Sequence, residues 1–194
     1  MSTVSNVKTA GSKTKTIAIY AIFIALTYVC TWLINIRLPF VGSGGLIHLG
    51  NVPMLVAALV FGWKAGAIAG SFGMALFDLT SGWLLWSPFT FVIVGLMGLV
   101  VGMFAEKKPI KNYVLNAIVA ILLAIGIKVG GYYIAECILY GNWIAPVGSI
   151  PGNIIQVSVA AVIAIPVAPI LKNINQNAYF TLLYHCFVVL YTKL

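Results

Sequence analysis

The sequence predicts an all-α integral membrane protein, a bundle of six transmembrane helices with its N- and C-termini in the cytoplasm. Three observations predict it. Charged residues make up 7% of the 194 and hydrophobic ones 62%, whereas a soluble domain carries roughly 25% charge on a surface that must face water. The apolar residues fall into six runs separated by Gly, Pro and charge, at lengths suited to a bilayer. The basic residues gather at alternate ends of those runs. This composition excludes a secreted disulfide scaffold, a nucleic-acid binder and a cytosolic enzyme, and the net charge of +8 relates to topology.

The first helix is Ile17–Ile34, after a polar cytoplasmic N-terminus over residues 1–16, and it ends at Asn35-Ile36-Arg37 and Pro39. With no small-residue cleavage site after a short apolar stretch, it is expected to stay as an uncleaved anchor. The second run is Leu46–Phe61, between the Gly42–Gly45 stretch and Gly62-Trp63-Lys64. The third, Ala65–Phe77, stops near Asp78, and both of these are short for a span. The fourth is Pro88–Ala105, with Pro88 suited to a first helical turn. The fifth is Tyr113–Leu139 and the sixth Ile150–Leu171. The six-helix domain thus covers residues 17–171. The tail, residues 172–194, holds an apolar stretch too short to span comfortably, and an interfacial segment is expected there.

Lys and Arg supply an independent test of orientation. With the N-terminus inside, the inner segments hold Lys8, Lys13, Lys15, Lys64, Lys107, Lys108, Lys111, Lys172 and Lys193. Of the 11 basic residues only Arg37 falls in an outer loop, and Lys128 lies within a helix. The inverted orientation fits badly.

Small residues let helices approach closely in lipid. The first helix carries Ala18, Ala21 and Ala25; the third has Gly66, Gly70 and Gly73; the fourth has Gly95, Gly98 and Gly102. The glycines read as packing within the bundle, and Ala21 and Ala25, four apart on one face, as a seat for another membrane subunit.

Ionisable groups in hydrocarbon are costly, so each marks a candidate site. On the fifth helix Lys128, Tyr132 and Glu136 follow at intervals of four, on broadly one face. Asn153 and Gln156 lie early in the sixth, Asp78 ends the third, Trp83 and Trp86 follow it, and His48 and Asn51 open the second. One outer zone therefore gathers most of the polar groups, which suggests a cavity facing outside. Several have a plainer role open to them. Trp83, Trp86 and Trp143 suit an interfacial belt as well as ligand stacking, Lys128 and Glu136 could neutralise each other, His48 suits a structural histidine, and Asp78 a helix terminator. Asn153 and Gln156 are the sharpest candidates, offering amide donors and acceptors to a polar heterocycle. Cys30, Cys137 and Cys186 have no metal-type spacing and read as small core residues. There is no G-x-x-x-x-G-K-[ST], H-E-x-x-H or G-x-S-x-G, so uphill transport would need an ion gradient or separate ATPase subunits.

Four stretches together resemble the substrate-binding S component of energy-coupling factor (ECF) vitamin transporters. They are the alanines from Ala18 to Ala25; Leu46-Ile47-His48-Leu49-Gly50-Asn51-Val52-Pro53; Phe61-Gly62-Trp63-Lys64-Ala65-Gly66-Ala67 leading to Asp78; and Lys128, Tyr132, Ala135-Glu136 followed by Pro151-Gly152-Asn153 and Gln156. The pattern is most like the hydroxymethylpyrimidine or pyridoxine branch, with the riboflavin branch as the alternative and an intramembrane enzyme as a more distant one. The resemblance implies a subunit of a prokaryotic plasma membrane without catalysis or cofactor of its own. Its partners would be a vitamin, a transmembrane coupling subunit (T component), two cytosolic ATPase subunits that use the ATP, and the lipid bilayer, with no nucleic acid. It also implies that Ala18, Ala21 and Ala25 dock the coupling subunit, that the loops Arg37–Gly45 and Leu79–Ser87 act as lids, and that the subunit topples in the membrane during transport. Met1-Ser2 lacks the N-terminal histidine arrangement of the nickel and cobalt members, and the tail is longer and more aromatic than that family's pattern.

Overall fold

The computed structural model describes residues 3–37 and 46–173. In chain order the elements are α1 (Thr3–Leu33), β1 (Asn35–Arg37), β2 (Leu46–His48), α2 (Asn51–Phe61), α3 (Trp63–Thr80), α4 (Ser87–Lys107), α5 (Tyr113–Tyr140), a 3-10 helix (Ala145–Ser149) and α6 (Ile150–Asn173). Four of the helical stretches are long and apolar enough to cross a membrane: Lys13–Leu33, Ser87–Lys107, Tyr113–Tyr140 and Ala145–Asn173. The expected tail falls outside the described residues, as do positions 38–45 of the expected first lid and Cys186.

The second run departs from expectation. Leu46–His48 is not helix but strand, paired antiparallel with β1 in the register Asn35↔His48, Ile36↔Ile47, Arg37↔Leu46. In an apolar setting unpaired backbone N–H and C=O groups are expensive, and a short ladder satisfies them where the chain turns back. The helix proper starts at Asn51 and has 11 residues, about 16 Å at 1.5 Å per residue and half the hydrocarbon thickness. Its apolar residues point all round because it is enclosed all round: Met54, Leu55, Ala57 and Ala58 are wholly inaccessible.

A single residue, Gly62, separates α2 from α3, with φ +88° and its N–H donating to the Ala58 carbonyl at 3.1 Å. Only glycine adopts that backbone without strain, so the chain reverses tightly and α3 packs back on α2. Glu106 at the end of α4 steadies the turn by accepting the Trp63 N–H at 3.2 Å. Helix α3 packs on α4 along the glycine faces, where a Cβ on Gly66 would come within 2.8 Å of the Gly98 carbonyl oxygen. On its other side it meets α1, where a Cβ on Gly73 would lie 2.6 Å from that of Thr27. Helix α4 packs on α5, and α6 closes the bundle against α2 and α5. The expected segment boundaries hold within a few residues elsewhere, but α3 runs past Asp78 to Thr80, and α1 begins at Thr3, within the segment expected as a polar terminus.

Candidate functional site

The bundle has two chemically different ends. At one, β1 and β2, the N-termini of α2, α4 and α6 and the C-termini of α3 and α5 meet. At the other lie the α2–α3 turn and the α4–α5 loop, with Lys64, Lys107, Lys108, Lys111 and Lys172. The polar candidates are at the strand end.

Among the described residues, Lys128 is the largest wholly buried side chain, 2% exposed. Its ammonium donates to the side-chain carbonyl of Gln156, itself 2% exposed, bridging α5 and α6. The alternative pairing with Glu136 is not formed; Glu136 is buried and faced by the Ser149 side chain. Lys128 also lies 5.7 Å from the Tyr132 ring centroid, one turn along the same face, and within electrostatic reach of Asp78 and His48. Lys128, Gln156, Tyr132, Asp78 and His48 are thus brought together from four separate segments.

An aromatic wall flanks this group. Trp86 sits 6.3 Å from Tyr132 and, edge-on, 5.8 Å from Tyr140, while Trp83 meets Trp86 at 6.3 Å. The short link after α3 holds the tryptophans in place: the Trp83 N–H donates to the Asp78 carbonyl at 3.0 Å, the Trp86 N–H to the Trp83 carbonyl at 2.8 Å, and the Ser87 hydroxyl to the Ala75 carbonyl at 3.0 Å. Both rings are half-buried. They meet each other, Tyr132 and Tyr140 in tilted and edge-on contacts; Trp143 lies in the loop after α5, 72% exposed.

Asp78 does not terminate its helix. It is buried near the end of α3 with Oδ2 unpartnered. Asn51, in the first turn of α2, is wholly inaccessible, and neither its amide nitrogen nor its amide oxygen has a partner. Among the described residues, Thr27 Oγ1 on α1 is the remaining buried side-chain atom without one. Native proteins pair nearly all such atoms, so a cluster of exceptions needs an explanation. All four atoms lie toward the strand end. His48, in contrast, is structurally engaged: Nδ1 accepts the Gly50 N–H at 3.2 Å and the ring stands 6.5 Å from that of Phe77. Asn153 is half-buried, one turn before Gln156 on α6.

Thr90 was missed by reading the sequence. Its hydroxyl bonds the Tyr132 hydroxyl at 3.1 Å and its side chain faces Asp78, linking α4 to both. A hydroxyl in an apolar helix is a weak signal, because most such groups bond their own backbone, as Thr31 does to the Thr27 carbonyl at 2.6 Å. Among the described residues, no group of three or more His, Cys, Asp and Glu could hold a metal ion.

On α1, Ala21 and Ala25 are exposed and Ala18 is half-buried, beside exposed Ile17, Leu26 and Val29. The glycines of α3 and α4, in contrast, are consumed by close contacts within the bundle, Gly66 with Gly98 and Gly73 with Thr27 among them.

Comparison with known proteins bears on this arrangement. A family model described as the S component of the ECF-type riboflavin transporter matches residues 11–174. The thiamine precursor transporter HmpT of Lactococcus lactis subsp. cremoris (strain MG1363) is 31% identical over 159 residues, which are 82% of this chain and 89% of that protein. An uncharacterized protein of Pyrococcus woesei is 34% identical over 113 residues, 55% of this chain and 69% of that one.

Proposed function

The chain belongs to the S-component family of ECF-type transporters, a membrane transport subunit and not an enzyme, and from that premise we propose that it captures a thiamine precursor of the hydroxymethylpyrimidine type at the strand end of its bundle. The observation that carries the reading is the set of buried polar atoms without partners, Asn51 Nδ2 and Oδ2-bearing Asp78 above all, beside the Lys128–Gln156 bridge. A small, flat, polar heterocycle meets these needs together. Ring nitrogens and a hydroxymethyl group would bond the Asn51 amide, Asp78 and Gln156, and the ring face would lie on Trp86 and Tyr132. Asn153, Glu136 and Trp83 would complete the enclosure, with His48 shaping the wall from β2.

The distribution of lysines supports placing the strand end outside and both termini in the cytoplasm, with all six helices forming the membrane unit in a prokaryotic plasma membrane. The loops over residues 37–45 and 79–87 would close over the ligand. With no nucleotide-binding motif in the sequence, two cytosolic ATPase subunits would supply the energy through a transmembrane coupling subunit, docked on the exposed Ala21 and Ala25 beside Ala18.

Riboflavin is the second reading, favoured by the description of the matching family model. Titration of the purified protein with hydroxymethylpyrimidine, pyridoxine, thiamine and riboflavin, followed by tryptophan fluorescence, separates the two. Stoichiometric quenching by the pyrimidine alone is the expected result. Quenching by riboflavin alone transfers the assignment, and chemical conversion of any ligand would reject a pure capture role.

A further inference from the structure

The other end of the bundle holds a cavity that vitamin capture does not use. It has a volume of about 210 Å³ and lies between the α4–α5 loop, the C-terminus of α6 and the last turns of α2. Lys108, Lys111 and Lys172 line it, all with exposed side chains, together with Tyr113, Asn116 and apolar residues that include Leu59. None of the described lining residues is acidic. The chain has only three acids; Asp78 and Glu136 are at the opposite end, and Glu106 is turned to the Trp63 N–H.

The cavity wall is firmly built. The Asn116 amide donates to the Phe104 carbonyl at 2.9 Å and accepts the Ile110 N–H at 3.3 Å, tying the loop across α4 and α5. The Tyr113 hydroxyl donates to the Ile165 carbonyl at 2.9 Å, tying α5 to α6. Lys108 caps α4 in the left-handed region at φ 47°, which a lysine rarely adopts. The N-terminus of α5, opening at Tyr113, adds its positive dipole end to the same space. Three like charges border one partly open cavity, with fixed amide and phenol walls and an apolar side.

We infer that this cavity is a phosphate-binding site, occupied by the headgroup of an anionic phospholipid. The cluster lies at the C-terminal ends of α4 and α6, two of the helices long and apolar enough to cross a membrane; in a bilayer such ends would meet the headgroups, and basic pockets between helix ends are suited to that chemistry. The phosphate oxygens accept from the lysine ammonium groups, and the glycerol and acyl root lie along the apolar side near Leu59. A free phosphate anion shares the polar half of this recognition but has nothing to place on the apolar half.

The test titrates the full-length protein in neutral detergent with phosphatidylglycerol, phosphatidylcholine or inorganic phosphate, counting retained molecules by native mass spectrometry. Wild type is expected to retain phosphatidylglycerol over phosphatidylcholine. Lys108→Gln/Lys111→Gln/Lys172→Gln should weaken that retention roughly a hundredfold, at about fivefold per lysine. The matching triple Lys→Arg variant should keep it, which separates loss of charge from loss of fold. Lys64→Gln/Lys107→Gln removes two lysines from the same end outside the cavity and should leave retention unchanged. Inorganic phosphate bound with the same lysine dependence, and no lipid retained, would keep the phosphate site and reject the lipid as its occupant. Retention that ignores the cavity lysines, or falls equally in the Lys64/Lys107 control, overturns the inference.

Discussion

Lys128 and Gln156 set the terms at the scale of single residues. A buried ammonium with an amide acceptor is a polar pair in which loss of one partner is worse than loss of both, because a stranded donor keeps its full desolvation penalty. Gln156→Leu is therefore expected to lower stability by about 1–3 kcal/mol, read by thermal unfolding in detergent. Lys128→Met/Gln156→Leu should recover most of it. Vitamin binding should stay lost in the double variant, since the groups proposed to orient the ligand are gone; wild-type affinity there would reduce the pair to a structural bridge. Asn153→Ala and Asn51→Ala should each weaken binding about tenfold or more, the order expected when one hydrogen bond to a buried polar ligand is removed. Trp86→Phe should remove much of the fluorescence response yet keep most of the affinity, because Phe retains an aromatic face toward Tyr132. The lysine and the two amides could be picked out in the sequence, being costly in an apolar helix. Their partners could not: spacing put Glu136 on the face of Lys128, yet the acceptor came from α6, and Thr90 carried no signal that separated it from other hydroxyls.

At the scale of elements, the α3–α4 contact rests on backbone approach. A Cβ on Gly66 would meet the Gly98 carbonyl oxygen at 2.8 Å, and a carbonyl fixed in a helix cannot swing aside as a side chain does. Gly66→Val should therefore destabilise the protein by about 1–3 kcal/mol or more, whereas Gly126→Val, where a Cβ meets nothing within 4 Å, should be far milder. Comparable melting of the two variants would show that this contact does not limit stability. The glycine rows were legible as close-packing faces, but which helix each one meets was not. The second run shows the converse limit. Apolar periodicity cannot tell a strand from a buried helix in a short stretch, and Leu46–His48 is strand because β1 offers it a partner.

At the scale of the whole molecule, the two surfaces of α1 differ, and the exposed one is proposed to dock the coupling subunit. One face packs on α3 through Thr27, and the other leaves Ala21 and Ala25 exposed in an apolar setting. Ala21→Trp or Ala25→Trp is expected to leave vitamin binding intact, since neither residue belongs to the strand-end site, while uptake by the assembled transporter fails. Co-purification with the coupling subunit measures this directly, and unchanged recovery would remove α1 from the docking surface.

The sequence by itself determined the solvent this protein is built for, the approximate position of the helices and the end at which its polar groups collect, because these follow from composition, period and charge summed along the chain. Only the tertiary structure decided which polar groups pair, which stay unpartnered, and that a strand and a short, largely enclosed α2 stand where a single span was expected. Pairing and enclosure depend on contacts between residues far apart in the chain, and no local pattern carries the distance from Lys128 to Gln156.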